Sequence, residues 1–422
     1  MNQIRSIKGT HDILPRESIK WRNLEKNIHH ICAKFGHQEI RTPIFEETGL
    51  FARSVGENTD IVSKEMYTWE DKKNKYLTLR PELTASVARS FIQHNMGNKS
   101  PIQRLYYIGP LFRRERPQKG RQRQFHQFGV EAFGSEYPEQ DVEIISIAWH
   151  ILLKCGLNKN IKLHINSIGS SDCRMAYRVA LQKFLRPNLK MFSKNSQRRF
   201  ETNPLRILDT KNENERLLLK EAPKISSYYS DEDSKHFELI TKFLNEMDIP
   251  FTIDANLVRG LDYYTRTVFE FTSDSLGAQN ALIGGGRYDG LIETLGGKNT
   301  PGMGFAAGME RLLLAMASNT NEKTITFKPD VYFIYQNVNY LSLVMQLSNQ
   351  LRKNGHKVIF DSVRRSMKAQ LRDANRSGAR YALILGEHEI ENSTISFKDL
   401  ASSDQKTIPQ LDLINFFDNL TN

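Results

Sequence analysis

The first residues able to do chemistry lie in an arginine-rich stretch. Arg113–Arg123 holds six basic residues and one acid. A guanidinium keeps its charge at physiological pH and binds a phosphate through two parallel hydrogen bonds. The stretch therefore predicts a site for a triphosphate. The other interpretation is a solvated charged hairpin, since the stretch connects two strand-like segments.

The strand that follows carries polar residues on one face. Gln127, Gly129 and Glu131 recur with the period of two that puts alternate side chains on the same side of a strand. At ~3.3 Å per residue, Gln127 and Glu131 stand about 13 Å apart. This spacing predicts a small ligand that lies over Gly129, between an amide and a carboxylate.

Two further segments present arginines beside aromatic or small residues. In LVRGLDYYTRTVFEF, a turn at Arg259 precedes Tyr263 and Tyr264, whose rings have packing as an alternative role. In GFAAGMER, Arg311 falls in the first turn of a helix, where a cation opposes the helix dipole. A bound anion would compensate for that placement. Arg311 is therefore another candidate for binding phosphate.

Strands and helices must bring these segments together. Alternation, helical spacing and turn residues predict strands at Tyr76–Arg80, Arg104–Phe112 and Gln124–Phe133, and helices at Pro81–His94 and Pro138–Gly156. The arginine-rich stretch then connects two of these strands. Residues 171–248 contain no glycine and predict an inserted helical module.

The C-terminal part has a different pattern. Strands predicted at Asp330–Tyr335, His356–Asp361 and Arg380–Gly386 alternate with helices, and Thr394–Lys398 is predicted as an edge strand. This alternation is typical of a small α/β domain. We therefore predict two domains, residues 1–325 and 326–422.

A basic stripe is predicted within the C-terminal domain. Arg365, Lys368, Arg372 and Arg376 recur at spacings of three and four, which places them on one face of a helix. Such a face is either a contact surface for RNA phosphates or a merely solvated surface.

Composition narrows the class of protein. The 422 residues carry a formal charge of +11, which favours polyanionic partners such as nucleic acid, although a generally basic enzyme fits as well. Three dispersed cysteines argue against a disulfide framework and fit a cytoplasmic location. We expect no membrane span and no secretory signal. There is no phosphate-binding GxxxxGK[ST] loop, so a nucleotide would be held by side chains.

These motifs together resemble those of histidyl-tRNA synthetases, which are class II aminoacyl-tRNA synthetases. The resemblance covers essentially the whole chain and rests on KGTHDILP with the segment Ile40–Pro43, TLRPELTASVAR, Arg113–Glu131, LVRGLDYYTRTVFEF, GGGRYDGL and GFAAGMERL. The segments Arg113–Glu131 and GFAAGMERL indicate only class II. RGLDYY together with GGGRYDGL is much more specific for the family.

The resemblance implies an α+β fold. It would comprise a six-stranded antiparallel catalytic sheet with helices, a helical insertion and a C-terminal α/β anticodon-binding domain. It also implies a homodimer with the region around Ile40–Pro43 at the interface. The implied partners are L-histidine, ATP and tRNA(His). Histidine would react with ATP to give histidyl-adenylate, and a ribose hydroxyl of the tRNA would then take the histidyl group.

The family's site residues carry over one by one. For histidine, the resemblance implies Glu82, Thr84 and Gln127 at the ammonium group, Glu131 and Tyr264 at the imidazole, and Tyr263 and Tyr288 lining the pocket. For ATP it implies Arg113 at the α-phosphate, Arg121 and Arg311 at the outer phosphates and Phe125 stacked on adenine. Arg259 would neutralise charge at the α-phosphate and the substrate carboxylate, so Arg259 and Arg113 are the implied catalytic residues. Arg116 and Gln118 would face the tRNA acceptor end. Mg²⁺ would bridge phosphate oxygens, with no protein ligand assigned.

Two alternatives belong to other functional classes. One is the synthetase-like regulatory subunit of ATP phosphoribosyltransferase, which typically lacks the anticodon-binding domain. The other is a non-catalytic tRNA-binding regulator with a synthetase-like domain. The presence of a C-terminal domain and the intact motif residues argue against the first alternative, and the intact Arg113, Arg259 and Arg311 argue against the second.

Overall fold

A computed structural model describes residues 3–56, 59–118, 120–158, 161–210, 212–277, 280–319 and 327–421. The chain divides into two compact units, Met1–Lys323 and Thr324–Asn422. No helix in the described ranges is long and apolar enough to cross a membrane.

The larger unit contains eleven strands and ten α-helices among its described residues. The strands are β1 (Gln38–Glu39), β2 (Phe45–Glu47), β3 (Tyr67–Glu70), β4 (Tyr76–Leu79), β5 (Gln103–Phe112), β6 (Gln124–Phe133), β7 (Ile161–Ser167), β8 (Thr252–Ile253), β9 (Thr265–Ser273), β10 (Ala281–Arg287) and β11 (Gly302–Gly308). The helices are α1 (Pro15–Lys34), α2 (Thr48–Val55), α3 (Thr84–Gln93), α4 (Pro138–Lys154), α5 (Ser171–Leu185), α6 (Lys194–Thr202), α7 (Glu213–Leu219), α8 (Asp231–Glu246), α9 (Leu291–Thr294) and α10 (Met309–Asn319). A π-helical turn covers Ile61–Glu65 and a 3-10 turn covers Pro204–Ile207.

The main sheet has the strand order β1-β5-β6-β11-β10-β9-β7-β8. All neighbours from β5 to β7 are antiparallel, which confirms the predicted six-stranded antiparallel sheet. At each edge a two-residue strand is added in parallel, β1 on β5 and β8 on β7. These strands are too short to leave a periodic signal in the sequence. A separate small sheet has the order β2-β4-β3.

Alternation along the strands divides the side chains between two packed faces. On β6, Phe128, Val130 and Ala132 belong to a core cluster built with α1 and α4. Tyr107 of β5 and Tyr288 belong to a second cluster, on the opposite face. Because side chains alternate along a strand, the polar residues Gln127 and Glu131 of β6 face this second side.

Helix α3 begins later than predicted. Pro81 and Glu82 lie before it, and the helix starts at Thr84. The reason is a cap: Glu82 Oε1 accepts a hydrogen bond from the backbone N–H of Ala85 at 2.8 Å, which satisfies a donor that the first turn leaves free. Glu82 is thereby fixed at the end of the helix.

Residues 171–248 are helical, as predicted, and contain α5 to α8. Asp233 Oδ2 in the first turn of α8 accepts hydrogen bonds from the backbone N–H (3.2 Å) and the hydroxyl (2.8 Å) of Ser170, just before α5. The first and last helices of the segment are therefore tied to each other. Helix α8 also contributes Ile240 and Leu244 to the core cluster of α1 and α4.

The C-terminal unit is an α/β domain. Its strands are β12 (Val331–Tyr335), β13 (Val358–Phe360), β14 (Tyr381–Leu385), β15 (Thr394–Asp399) and β16 (Gln405–Pro409), in the order β13-β12-β14-β15-β16. Its α-helices are α11 (Leu341–Lys353), α12 (Met367–Ser377), α13 (Glu387–Glu391) and α14 (Leu413–Thr421). The prediction that Thr394–Lys398 is an edge strand is wrong, because β16 pairs outside it. Only one residue of β16 is buried, so its sequence carries little strand signal.

The predicted basic stripe is narrower in the structure. Arg365 lies before α12, and its guanidinium pairs with Asp361 and, at 2.8 Å, with Asp373. Arg376 also pairs with Asp373. Lys368 and Arg372 lie one turn apart on α12 and are exposed. These two residues are the part of the stripe best placed to meet a polyanion.

Candidate active site

A cavity of about 550 Å³ opens on the second face of the main sheet. It collects eleven of the predicted site residues: Glu82, Thr84, Arg113, Arg121, Phe125, Gln127, Arg259, Tyr263, Tyr264, Tyr288 and Arg311. They come from segments more than 200 positions apart in sequence, and the antiparallel sheet brings them together.

Three predicted residues do not line the wall of this cavity. Glu131 is completely buried behind it. Arg116 and Gln118 are exposed on the connection between β5 and β6, where the backbones of Gln118 and Arg121 bond to each other at 3.0 and 2.9 Å. The start of this connection is held by the π-helical turn, because the backbone N–H of Arg114 donates a hydrogen bond to Glu65 O at 2.7 Å.

Glu131 is the centre of a buried hydrogen-bond network. Its Oε1 accepts from Thr84 Oγ1 at 2.7 Å, and its Oε2 accepts from the Tyr288 hydroxyl. Burial raises the pKa of Glu131 to about 8, although both hydrogen bonds favour the charged form. The carboxyl therefore contacts the cavity through two residues of the wall, and its burial favours the protonated form.

A glycine makes room for this carboxyl. Gly304 of β11 is paired with Glu131 across the strands, and a Cβ at Gly304 would lie 2.8 Å from the Glu131 Cδ and closer still to Oε2. The prediction of a ligand directly over Gly129 is wrong. Gly129 is paired with Tyr107, and the Tyr107 hydroxyl occupies the space that a Cβ at Gly129 would need.

Three tyrosines enclose the end of the cavity near Glu131. The ring centroids of Tyr263 and Tyr264 are 4.7 Å apart, and those of Tyr263 and Tyr288 are 5.5 Å apart. Burial raises the pKa of each of these hydroxyls, so they stay protonated. Glu82 lies nearby on the wall, and burial raises its pKa as well. This end offers hydroxyl and carboxyl groups, most of them from buried side chains.

Arg259 occupies a cradle on the sheet. Its Nη1 donates to Glu270 Oε2 at 2.5 Å, and Glu270 on β9 is paired with Gly284 on β10. The guanidinium lies directly over Gly284, where any Cβ would overlap it. A carboxylate and a glycine on neighbouring strands thus fix the position of the arginine.

The other end of the cavity is rich in guanidinium groups. Arg113 lies 5.2 Å from the ring centroid of Phe125, and its Nε donates to Pro81 O at 2.9 Å. Glu115 lies between Arg113, at 3.8 Å, and Arg121, at 3.3 Å. An anionic ligand at this end would replace Glu115 as the partner of both arginines.

Arg311 reaches this end from α10. Its Nε donates to Gly120 O at 3.3 Å and its Nη1 donates to Ala281 O at 3.2 Å. The neighbouring Glu310 accepts from the backbone N–H and Nδ1 of His126, at 2.9 and 3.1 Å. In the parts of the chain that are described, no group of three or more His, Cys, Asp or Glu side chains is arranged to hold a metal ion.

Sequence reasoning missed several residues of the wall or its support. Glu115 stood inside the basic stretch as its one acid, and Glu270 is a charge inside the apolar strand VFEF. In both cases the unusual charge is visible in the sequence and could have marked the residue as a candidate. Arg199 and Arg206 also line the cavity, but they lie in the helical insertion, where lysines and arginines are common and no motif marks them.

Comparison with solved structures identifies the class of protein. The structure of apo histidyl-tRNA synthetase from S. aureus is similar, with a TM-score of 0.83 and 38% identity over 98% of this chain and 100% of that chain. Residues 330–420 match the family model described as anticodon binding domain. An antiparallel sheet with an arginine-rich cavity and an anticodon-binding domain define an aminoacyl-tRNA synthetase.

Sequence comparison identifies the family. Residues 9–312 match the family model described as histidyl-tRNA synthetase. Histidine--tRNA ligase of Gloeothece citriformis is 45% identical over 420 residues, covering 100% of this chain and 97% of that protein. The Bacillus velezensis ligase is 46% identical over 411 residues, covering 96% of each. The chain belongs to the histidyl-tRNA synthetase family.

Proposed function

We propose that this chain attaches L-histidine to tRNA(His) at the expense of ATP, through a histidyl-adenylate intermediate. The observation that carries the proposal is the single cavity. One end of the cavity carries carboxyl and tyrosine hydroxyl groups, and the other end carries a cluster of guanidinium groups. Arg259 lines the same cavity. Such a cavity can hold an amino acid and a nucleotide side by side, so that the two react.

In the first step, a carboxylate oxygen of histidine attacks the α-phosphorus of ATP. The new O–P bond forms as the bond to the β-phosphate oxygen breaks, and pyrophosphate leaves. Negative charge develops on the α-phosphate oxygens, within reach of guanidinium donors. Arg259 and Arg113 supply these donors, pre-positioned by Glu270 and by Pro81 O respectively.

The tyrosine end binds the histidine substrate. Glu82 and Gln127 on the wall suit its ammonium group, together with Thr84. The imidazole would lie against the rings of Tyr263, Tyr264 and Tyr288, which line this end of the cavity. Glu131 acts on it through Tyr288: the Tyr288 hydroxyl donates to Glu131, so the Tyr288 oxygen is oriented to accept from an imidazole N–H. A pocket that pairs both ring nitrogens leaves buried groups unsatisfied with other side chains, which is a strong form of discrimination.

The guanidinium end binds ATP. Phe125 offers a face for adenine, while Arg113, Arg121 and Arg311 bind the phosphates. The carboxylates at this end, Glu115 and Glu310, already accept from cationic or N–H donors. Mg²⁺ is therefore best regarded as part of the Mg·ATP substrate, where it would neutralise phosphate charge.

In the second step, a ribose hydroxyl at the tRNA 3′ end attacks the carbonyl carbon of the adenylate. The ester bond forms, AMP leaves and the hydroxyl proton passes to the leaving phosphate. Arg116 and Gln118 are exposed on a connection next to the nucleotide end, which suits contact with the acceptor arm. The C-terminal α/β domain, residues 326–422 in our division, would bind the anticodon and residues 1–325 would perform the chemistry.

We also infer a homodimer. Ile44, Phe45, Trp69 and Tyr76 are large apolar residues that are 40–58% exposed. Phe45 and Trp69 pack edge to face with ring centroids 6.0 Å apart, on strands of the small sheet near Ile40–Pro43. Exposed apolar groups of this size on one sheet are typical of a protein interface. We infer a cytoplasmic location as well, which is compatible with ATP and tRNA as substrates.

Pyrophosphate–ATP exchange tests the activity. The assay is run with each of the twenty amino acids, without tRNA. Exchange that depends on histidine alone would support the proposal. A protein that binds histidine but gives no exchange would be a regulator, such as a regulatory subunit of ATP phosphoribosyltransferase.

A further inference from the structure

Two arginines of the helical insertion lie on the wall of the catalytic cavity. Arg199 belongs to α6 and Arg206 to the 3-10 turn Pro204–Ile207. Both line the cavity that contains Arg259. None of the roles given above for histidine or ATP uses them.

The segment that carries them is fastened to the rest of the unit. Arg198 Nη2 pairs with Asp60 Oδ1 at 2.9 Å, and Asn203 Nδ2 donates to Asp262 Oδ1 at 2.7 Å. Asp60 lies on the cavity wall, and Asp262 follows the Arg259 turn. These two contacts hold residues 198–206 against the mouth of the cavity.

The charge of Arg206 acts on the Arg199 guanidinium, which is incompletely hydrogen-bonded. Arg199 Nη1 donates to Arg206 O at 3.1 Å, whereas the buried Arg199 Nε has no hydrogen-bond partner within the described residues. Burial lowers the pKa of Arg199, and the neighbouring charge of Arg206 lowers it further. Two adjacent cations that face a cavity repel each other unless an anion lies between them. Asp60 on the same wall and Asp209 offset part of this repulsion, and an anionic ligand that accepts from Arg199 Nε would offset more of it.

The position of the pair indicates which anion. Arg206 Nη2 lies 3.8 Å from the point where a Cβ at Gly260 would stand, so its guanidinium is beside the residue that follows Arg259. Arg113 and Arg121, in contrast, contact Phe125 and Glu115. The triphosphate thus has its own guanidinium cluster, and the insertion adds a separate one beside the reacting centre.

We infer that Arg199 and Arg206 bind phosphodiester groups at the single-stranded 3′ end of the tRNA, and so hold its terminal ribose beside Arg259 for transfer. The inference rests on the proposed function, because the RNA must enter the cavity for the second step. A phosphodiester between two guanidinium groups would satisfy Arg199 Nε and remove the repulsion.

The experiment compares Arg199→Gln, Arg206→Gln and the double variant with Arg216→Gln. Arg216 is an exposed arginine of α7, in the same insertion, and serves as the charge-matched control. Single-turnover transfer from preformed histidyl-adenylate to tRNA is measured beside pyrophosphate–ATP exchange. We expect the double variant to slow transfer at least tenfold more than exchange, and Arg216→Gln to match the wild-type protein.

Direct tRNA binding gives a readout independent of activity. The slope of log K against log salt should flatten by about 0.7 for each lost phosphate contact with a single strand. Arg206→Lys, which keeps the charge, should recover part of the slope. Equal slowing of exchange and transfer with a raised KM for pyrophosphate would assign the pair to the ATP phosphates and overturn the inference. Unchanged transfer and salt slope would overturn it too. Failure of the proposed function would appear separately, as absence of histidine-dependent exchange in the wild-type protein.

Discussion

Gly284→Ala should displace Arg259, whose guanidinium supplies the three atoms nearest to a Cβ at this position. A Cβ at Gly284 would stand 2.5 Å from Arg259 Nη1 and closer still to Nη2 and Cζ. Ordinary contacts between such atoms are about 3.5–4.0 Å, so the guanidinium must move by roughly 1 Å or more. The φ angle of Gly284 is not in the left-handed region, so alanine adds no backbone strain there.

This displacement should affect catalysis more than stability. A shifted Arg259 loses either its hydrogen bond to Glu270 or its aim at the α-phosphate. Removing one pre-positioned donor from a developing oxyanion costs about 10²–10³ in rate, or about 2.7–4 kcal/mol. Overpacking at a partly exposed side chain should cost at most about 1–3 kcal/mol of unfolding free energy. We expect adenylation to fall by roughly two orders of magnitude in a folded protein.

Rapid-quench measurement of histidyl-adenylate formation tests this expectation. Gly290→Ala is the matched control, because it lies in the same GGGRYDGL motif and its Cβ would meet no atom within 4 Å. Arg259→Ala should itself slow adenylation by roughly 10²–10³. In the double variant, Gly284→Ala should add little to that loss, since the group it displaces is gone. Wild-type adenylation by folded Gly284→Ala, or additive losses in the double variant, would refute the reasoning.

Four further outcomes are expected. Glu131→Gln should lower kcat/KM for histidine while leaving the KM for ATP near its wild-type value; equal losses for both substrates would point to a folding defect. Because the pKa of Glu131 is about 8 in the folded chain against 4.5 as its ordinary value, wild-type unfolding free energy should fall as pH rises between these values. Glu131→Gln removes that fall, so the Tm of the variant should rise relative to the wild-type Tm as pH increases across this range. A Tm difference that does not change with pH would contradict the raised pKa of Glu131. Tyr288→Phe, which loses the hydrogen bond to Glu131, should raise the histidine KM about tenfold, the effect of ~1.4 kcal/mol, and an unchanged KM would exclude Tyr288 from recognition. Replacing Lys368 and Arg372 together by glutamine should weaken tRNA binding and flatten its salt slope by about 0.7–0.9 per contact, and an unchanged slope would exclude this face of α12.

Local patterns in the sequence were enough to predict much of the frame. In strand β6, Phe128, Val130 and Ala132 alternate with Gln127, Gly129 and Glu131, and that period specifies the strand and its two faces. Gln127 and Glu131 could therefore be assigned to one side before the structure was known. The C-terminal alternation of strands and helices was also predictable, because the central strands β12 and β14 are buried and apolar.

Tertiary structure alone decided what each site residue touches. Glu131 reaches the cavity only through Thr84 and Tyr288, and Arg259 is held by Glu270 from a neighbouring strand. The insertion arginines reach the wall because their segment is tied to Asp60 and Asp262. These contacts join residues from 11 to 157 positions apart in sequence. No periodicity records such pairs, since spacing reports which face a side chain takes and only strand register and packing determine which partner lies opposite it.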